Sequence, residues 1–248
     1  MIEYTPIRIL FRLGNIKIYS WGFLVALSFL IAILLSYKKA KKEKLEPDNI
    51  FNIALLALIF GFLGARLLFT FENGFNNFFA LWQGGLSWYG GFLLAFLAIF
   101  TYLKIKKLPL RYLEIVTLFL PLAHAIARVG CFLNWDDYGK PSNLPWAIKV
   151  ANDLPRHPTQ LYEVVSNLII FGFLLFLDKK KKGKVIIPTY LISYSLVRFL
   201  IDFLRESQRY LALTLAQWIS LAVILIVSMT LIVKFIKDKR ENKKRKLK

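Results

Sequence analysis

The chain has one cysteine and two histidines among 248 residues. A lone cysteine excludes an internal disulfide, so the fold rests on packing. No Cys/His ligand spacing is present, which argues against a zinc site. No Gly-rich phosphate loop of the P-loop or dinucleotide type appears either. Negative charge is also scarce: 15 Asp+Glu face 34 Lys+Arg, for a formal charge of +19. Such an excess is common in nucleic-acid binders. Here the bases form short clusters between apolar runs, the pattern of membrane loops, so nucleic acid is not expected as a partner. Polar residues are few as well. The chain is 57% hydrophobic with a mean hydropathy of +0.52, too apolar for a soluble domain of this length. Neither an internal repeat nor a soluble domain is visible.

What is present is a series of long apolar runs. A spanning helix needs about 20 mostly apolar residues. Seven candidates lie at roughly 18–37, 50–71, 88–103, 111–130, 160–177, 185–204 and 211–236. The first does not have the form of a cleaved signal, because its lysines ("KKAKKEK") follow it. Basic clusters belong on the cytoplasmic side. They fall after the first span (Lys38 to Lys44), after the third (Lys104 to Arg111), after the fifth (Lys179 to Lys184) and in the tail from Lys234. This alternation predicts an odd number of spans, with the N-terminus outside and the C-terminus in the cytoplasm. The predicted fold is an all-α polytopic membrane protein with seven transmembrane helices. Residues 1–236 are expected to form one membrane-embedded domain and 237–248 a basic cytoplasmic tail. The connection from about 131 to 159 is too long for a tight turn, and it predicts a small extracytoplasmic lobe between spans four and five. The N-terminal "PIRILFRLGNIKIYS" alternates basic and apolar residues, and is expected to lie along the outer interface as an amphipathic segment.

Ionisable groups inside spans are costly and mark functional sites by default. Arg66 lies late in span two, Arg128 ends span four, and Arg198 and Arg205 end span six. The orientation puts all of them in the outer half or at its edge. Convergence of guanidiniums favours an anionic ligand, and at this depth the obvious anion is a phospholipid phosphate, which arginine grips bidentately. Mutual neutralisation and snorkelling are the structural alternatives, the latter suiting Arg205 best. Tyr194, Arg198 and Asp202 follow at i, i+4, i+8 and share one helical face. "GGLSWYGG" (84–91) sets two glycine pairs around Trp88 and Tyr89; Gly90 and Gly91 allow close approach of backbone or lipid. "RHPTQLYE" (156–163) opens span five. Pro158 suits a first helical turn, Thr159 or Gln160 can satisfy free backbone donors, His157 is a capping residue or a general base, and Glu163 lies a turn inside.

Together these stretches resemble the prolipoprotein diacylglyceryl transferase family over nearly the whole chain. "ARVGCFLNWDDYG" resembles the family signature G-R-x-G-N-F-x-N-G-E-x-x-G, matching at Arg128, Gly130, Phe132, Asn134 and Gly139. "RHPTQLYE" is close to R-H-P-[ST]-Q-L-Y-E, "YSLVRFLIDFLRE" to Y-x-x-x-R-F-x-x-E-x-x-R-E, "LTLAQWISL" to L-[ST]-x-x-Q-W-x-S, and "GARLLF" to G-A-R-x-x-Y/F. The resemblance implies seven helices and a bacterial inner-membrane location. It implies transfer of diacylglyceryl from phosphatidylglycerol to the lipobox cysteine thiol of a preprolipoprotein, leaving a thioether and glycerol 1-phosphate. No metal and no organic cofactor is implied. The expected partners are phosphatidylglycerol, the preprolipoprotein signal peptide and membrane lipid, and the chain is expected to work as a monomer.

On this reading Arg128 and Arg198 hold the phosphate, with Tyr89 and Asp136 (or Asp137) as candidates for acid–base work. Arg66, Asn134, Tyr194, Asp202, Gly90, Gly91, Gly139, His157, Gln160, Glu163 and Arg205 bind or orient substrate. The chain departs from the family pattern in places. Tyr89 stands where His is frequent, Cys131 where Asn is, Trp135-Asp136 where Gly-Glu is, Asp202 where Glu is, and Trp21 where Tyr is frequent. A tyrosine with an ordinary pKa near ~10 is a poor base at neutral pH. Cys131 is not expected to be a nucleophile, because the thiol comes from the substrate. The alternative class is a transporter or channel for an anionic or lipid-like solute. It predicts interrupted helices in related halves and a polar path at mid-membrane.

Overall fold

The computed structural model describes residues 2–74, 78–79, 85, 87–180 and 185–246. In chain order the elements are β1 (Ile2–Tyr4), β2 (Ile9–Leu13), β3 (Ile16–Tyr19), α1 (Ser20–Lys42), α2 (Asp48–Asn73), α3 (Trp88–Ile105), α4 (Arg111–Asn134), β4 (Ile148–Val150), α5 (Thr159–Lys179), α6 (Ile186–Ile201), β5 (Arg209–Tyr210), β6 (Leu213–Thr214) and α7 (Leu215–Lys246). Six of these helical stretches are long and apolar enough to cross a membrane; the apolar run of α3, Gly90–Ile105, is shorter. The protein is therefore a mostly helical, multi-pass membrane protein. Several helices outrun the spans read from hydropathy. α1 continues to Lys42 and α4 to Asn134, because a helix ends at its cap and not where its side chains turn polar. Lys39, Lys41 and Lys42 also suit the negative end of the α1 dipole.

The chain divides into two compact units, 33–116 and 1–32 with 117–248. In the first, α2 and α3 pack through glycines. A Cβ on Gly64 would collide with the Gly90 carbonyl, and one on Gly90 with that of Gly64. A Cβ on Gly91 would fall 2.8 Å from the Gly61 carbonyl oxygen. This is the small-residue contact by which helices associate in lipid, where no hydrophobic force separates helix from solvent. Outward, Phe92, Phe96 and Phe100 stack along α3 at 6.3 and 6.0 Å, as a lipid-facing surface allows. At the lysine-rich end, Arg111 grips Glu43 through two hydrogen bonds of 2.7 and 2.6 Å and holds its carboxyl below the usual range. Tyr112 Oη donates to the Glu46 carbonyl, which fixes the turn between α1 and α2.

In the second unit α6 packs against both α5 and α7. β1 pairs in parallel with β4, so the N-terminal strand is tied to the connection after α4. β2 and β3 form an antiparallel hairpin that turns at Gly14, whose φ is +59°. The segment expected to be amphipathic is thus a strand hairpin. α7 opens with a reciprocal cap: the Thr214 amide donates to Gln217 Oε1 at 3.0 Å and the Gln217 amide to Thr214 Oγ1 at 3.1 Å.

Just before that cap, the β5–β6 turn puts Leu211 (φ 49°) and Ala212 (φ 72°) in left-handed conformations without glycine. Each such residue costs roughly 1–2 kcal/mol. The double substitution Leu211→Asn, Ala212→Gly supplies the residues this turn favours. It is expected to raise the thermal midpoint by about 2–4 °C per kcal/mol recovered, as read by thermal unfolding in detergent.

Candidate active site

The end of α4 is shaped by its sequence. The Asp136 amide bonds the Cys131 carbonyl at 2.9 Å and the Trp135 amide the Phe132 carbonyl at 3.0 Å. Trp135 has φ +60°, so this is a Schellman cap with tryptophan in the glycine position. Trp135 is buried and stacks on Tyr138 at 5.5 Å, with Phe132 and Tyr4 against it, which offsets the backbone strain. Asn134 donates to the Asp136 carboxylate and so holds the turn. The start of α5 locks this turn from the other side. Thr159 Oγ1 donates to the Asp137 carbonyl at 2.7 Å, and Gln160 Nε2 to the Asp136 carbonyl at 2.6 Å. Both side chains therefore serve the neighbouring turn and not the free amides of their own helix.

Gly139 closes the same junction. A Cβ there would lie 2.6 Å from the Leu204 carbonyl oxygen and 2.8 Å from both His157 and Thr159 side chains. Its amide bonds the His157 carbonyl at 2.9 Å. Gly139→Ala is expected to spread these segments, with at least a tenfold loss of catalytic rate and a lower thermal midpoint, since overpacking costs about 1–3 kcal/mol. Rate and unfolding measured on the same preparation check it.

Between these junctions lies a charged cluster built on Glu163. Its Oε1 meets Arg198 at 3.0 Å and Arg205 at 3.1 Å. Its Oε2 meets Arg128 Nε at 2.5 Å and His124 Nε2 at 3.8 Å. Arg198 also pairs with Asp202 at 3.0 Å, one helical turn on. Asp202 in turn accepts from Thr214 Oγ1, which ties α6 to the α7 cap. Asp137 pairs with Arg128 at 2.7 Å and lies 3.7 Å from Arg205. Burial alone would raise the Asp137 carboxyl, but Arg205 and Arg128 together hold it below its ordinary value. Tyr194 stacks on Tyr190 at 5.8 Å and its ring lies 5.2 Å from that of His124. α4, the turn after it, α5, α6 and the turn after α6 thus all contribute charged groups to a single focus.

The cluster has a closed side and an open side. Glu163 and Asp202 side chains are 2% and 1% exposed, whereas those of Arg128, Arg198 and His124 are 14%, 20% and 24% exposed. Glu163 and Asp202 are sealed, Asp137 is half exposed, and the side chains of two arginines and a histidine are partly exposed beside it. Arg205 Nε is buried without a hydrogen-bond partner among the described residues, as are Gln160 Oε1 and Asn167 Oδ1. Groups of this kind are rare in finished cores and frequent at working sites.

Not every candidate joins this focus. Asp136 turns its carboxylate to Asn134, and the carboxylate among the arginines is that of its neighbour Asp137. His157 Nδ1 sits 3.2 Å from Tyr162 Oη, which also accepts from Trp146, and burial pushes this imidazole below its usual value. Arg66 lies in the other unit, where Nε donates to the Phe78 carbonyl and an Nη to that of Gly85, both at 2.9 Å, tying α2 to these two residues. Gly90 and Gly91 are close-packing positions of α3. The backbone of Tyr89 belongs to α3, but its side chain is outside the described residues. Cys131 is buried with its sulfur 3.7 Å from Arg128 Nη1. Cys131→Ser keeps a small polar neighbour there, so the rate of the transfer reaction that the resemblance implies is expected to stay within about threefold of the parent, and complete loss would point to a covalent route.

Sequence reading missed His124, Asn167 and Gln217. His124 carried a usable signal: it lies one turn before Arg128 on the same helical face. Asn167 stands in the same relation to Glu163, whose carbonyl its Nδ2 bonds at 2.8 Å.

The helices of this multi-pass membrane protein gather three arginines around one sealed carboxylate, with two of their side chains partly exposed, which leaves positive charge of the kind that pairs with anions. Comparison with known proteins narrows the class. The model of the family described as prolipoprotein diacylglyceryl transferase matches residues 8–233. A phosphatidylglycerol–prolipoprotein diacylglyceryl transferase of Clostridioides difficile is 38% identical over 224 residues, 86% of this chain and 90% of its own. Proteins of the same name from Finegoldia magna and Clostridium tetani are 33% and 34% identical, covering 88% of this chain and 92% and 94% of theirs. The chain belongs to the prolipoprotein diacylglyceryl transferase family.

Proposed function

We propose that this chain transfers the diacylglyceryl group of phosphatidylglycerol to the lipobox cysteine thiol of a preprolipoprotein, the first step of lipoprotein maturation. The substrates are those in its relatives' names. The observation that carries the reading is the open edge of the cluster, where the Arg128 and Arg198 side chains stay partly exposed while Glu163 holds them in place. The thiol sulfur attacks the glyceryl carbon that carries the phosphate. The carbon–oxygen bond breaks, its electron pair stays on the phosphate oxygen, and glycerol 1-phosphate leaves. Charge grows on the phosphate as the bond breaks, and fixed guanidiniums stabilise that change without having to reorganise. The same positive edge favours the thiolate over the thiol. Glu163, Asp202 and Asp137 orient the arginines, and Tyr194 lines the approach. Arg205 binds from the sealed side.

The enzyme works as a monomer in the bacterial inner membrane, with residues 1–236 as its catalytic domain. It has seven spans, α3 among them, with the N-terminus outside and the basic tail inside. The connection between α4 and α5 is an extracytoplasmic lobe that receives the peptide. Purified protein in detergent, phosphatidylglycerol labelled in its acyl chains and a lipobox peptide provide the test. Label is expected on the cysteine peptide and not on its Cys→Ser counterpart. Equal labelling of both peptides, or of neither, contradicts the reading.

A further inference from the structure

We propose that His124 accepts the proton of the substrate thiol and delivers it to the departing phosphate; this rests on the transfer reaction proposed above. A proton must leave the sulfur for the new carbon–sulfur bond to form, and the reachable side of the cluster has few groups able to take it. Glu163 faces guanidiniums with both oxygens, so protonating it would undo its pairs with Arg128, Arg198 and Arg205. Asp202 is spent on Arg198 and Thr214, and Asp137 on Arg128 and Arg205. Tyr194 would first have to lose its own proton. His124 differs from all of these. It is the imidazole of the cluster, it has the most exposed side chain of the His124, Arg128 and Arg198 edge, and it lies one turn from Arg128.

Its orientation fits the task. Nε2 faces the Glu163 carboxylate at 3.8 Å, which favours the tautomer with the hydrogen on Nε2 and leaves Nδ1 as the basic atom. The Tyr194 ring at 5.2 Å and the Glu163 carboxylate flank the imidazole. When Nδ1 takes the thiol proton, Glu163 lies beside the resulting cation, the relation by which a carboxylate orients and supports a histidine base. Sulfur then bonds to carbon, and the phosphate gains the electron pair of the broken bond. The imidazolium returns its proton to that phosphate and is neutral again. No further reactant enters the balance.

A half-buried histidine could instead serve packing alone, and the choice of nucleophile separates the two roles. His124→Gln keeps a polar side chain of similar reach and removes the titratable nitrogen. On a lipobox peptide with a thiol, it is expected to lower kcat by about 100-fold or more, with KM for phosphatidylglycerol unchanged. On the same peptide carrying selenocysteine, whose selenol is already ionised at neutral pH, the variant is expected to match the parent within about threefold. His124→Asn repeats the comparison with a shorter side chain and should show the same selective rescue. Equal losses on both peptides, or no loss on the thiol, would overturn the role of His124 while leaving transfer by the parent intact. Failure of the parent protein to transfer to either peptide would overturn the reaction itself.

Discussion

Arg128→Ala and Arg198→Ala are each expected to abolish transfer while the protein still inserts and folds. Each guanidinium is asked to stabilise charge that appears on the phosphate only as the bond breaks, and a preorganised donor of this kind is worth about 10²–10³ in rate. Loss of a full positive charge should exceed the loss of one neutral donor, so we expect at least a 1000-fold fall. The fold should tolerate either change. After Arg128→Ala, Glu163 keeps Arg198 and Arg205; after Arg198→Ala, it keeps Arg128 and Arg205. Single-turnover rates on the labelled lipid and the thermal midpoint in the same detergent separate the two effects. A variant with normal rate would remove its arginine from the chemistry.

Glu163→Gln should fail for a different reason. The carboxylate joins α4, α5, α6 and the turn after α6 by contacting Arg128, Arg198 and Arg205. The amide cannot neutralise them, and three guanidiniums would face each other around a sealed site. Breaking a buried ion pair from one side costs about 3–5 kcal/mol, and this change breaks three at once. We expect both a large fall in the thermal midpoint and loss of transfer, whereas each arginine variant breaks fewer of these pairs and loses far more transfer than stability. A Glu163→Gln protein with normal stability would mean that the arginines do not depend on this carboxylate.

The helices and the arginines at their ends were legible because both follow from solvent. Lipid demands long apolar runs, and a charge within one is conspicuous. The hub was less legible. Glu163 reads as one polar residue near a helix start, and only the packing of α6 on α5 brings Arg198 and Arg205 to it. The two aspartates after α4 could not be told apart either. Trp135 and Asp137 are both left-handed, so no regular period carries through the turn, and the carboxylate that meets Arg128 is Asp137 and not Asp136. His124 lay hidden in an apolar run, where a single imidazole reads as packing. The convergence of arginines suggested a missing anion; the protein supplies its own in Glu163 and leaves two of the cations reachable.

The most direct test is a double-label assay with the purified protein, using phosphatidylglycerol with one isotope in its acyl chains and another in its headgroup glycerol. The acyl label should pass to the lipobox cysteine while the headgroup label appears, mole for mole, as free glycerol phosphate. Release of headgroup label as free glycerol, or acyl label on the peptide with the headgroup still attached, would place the broken bond elsewhere and contradict a phosphate leaving group held by Arg128 and Arg198.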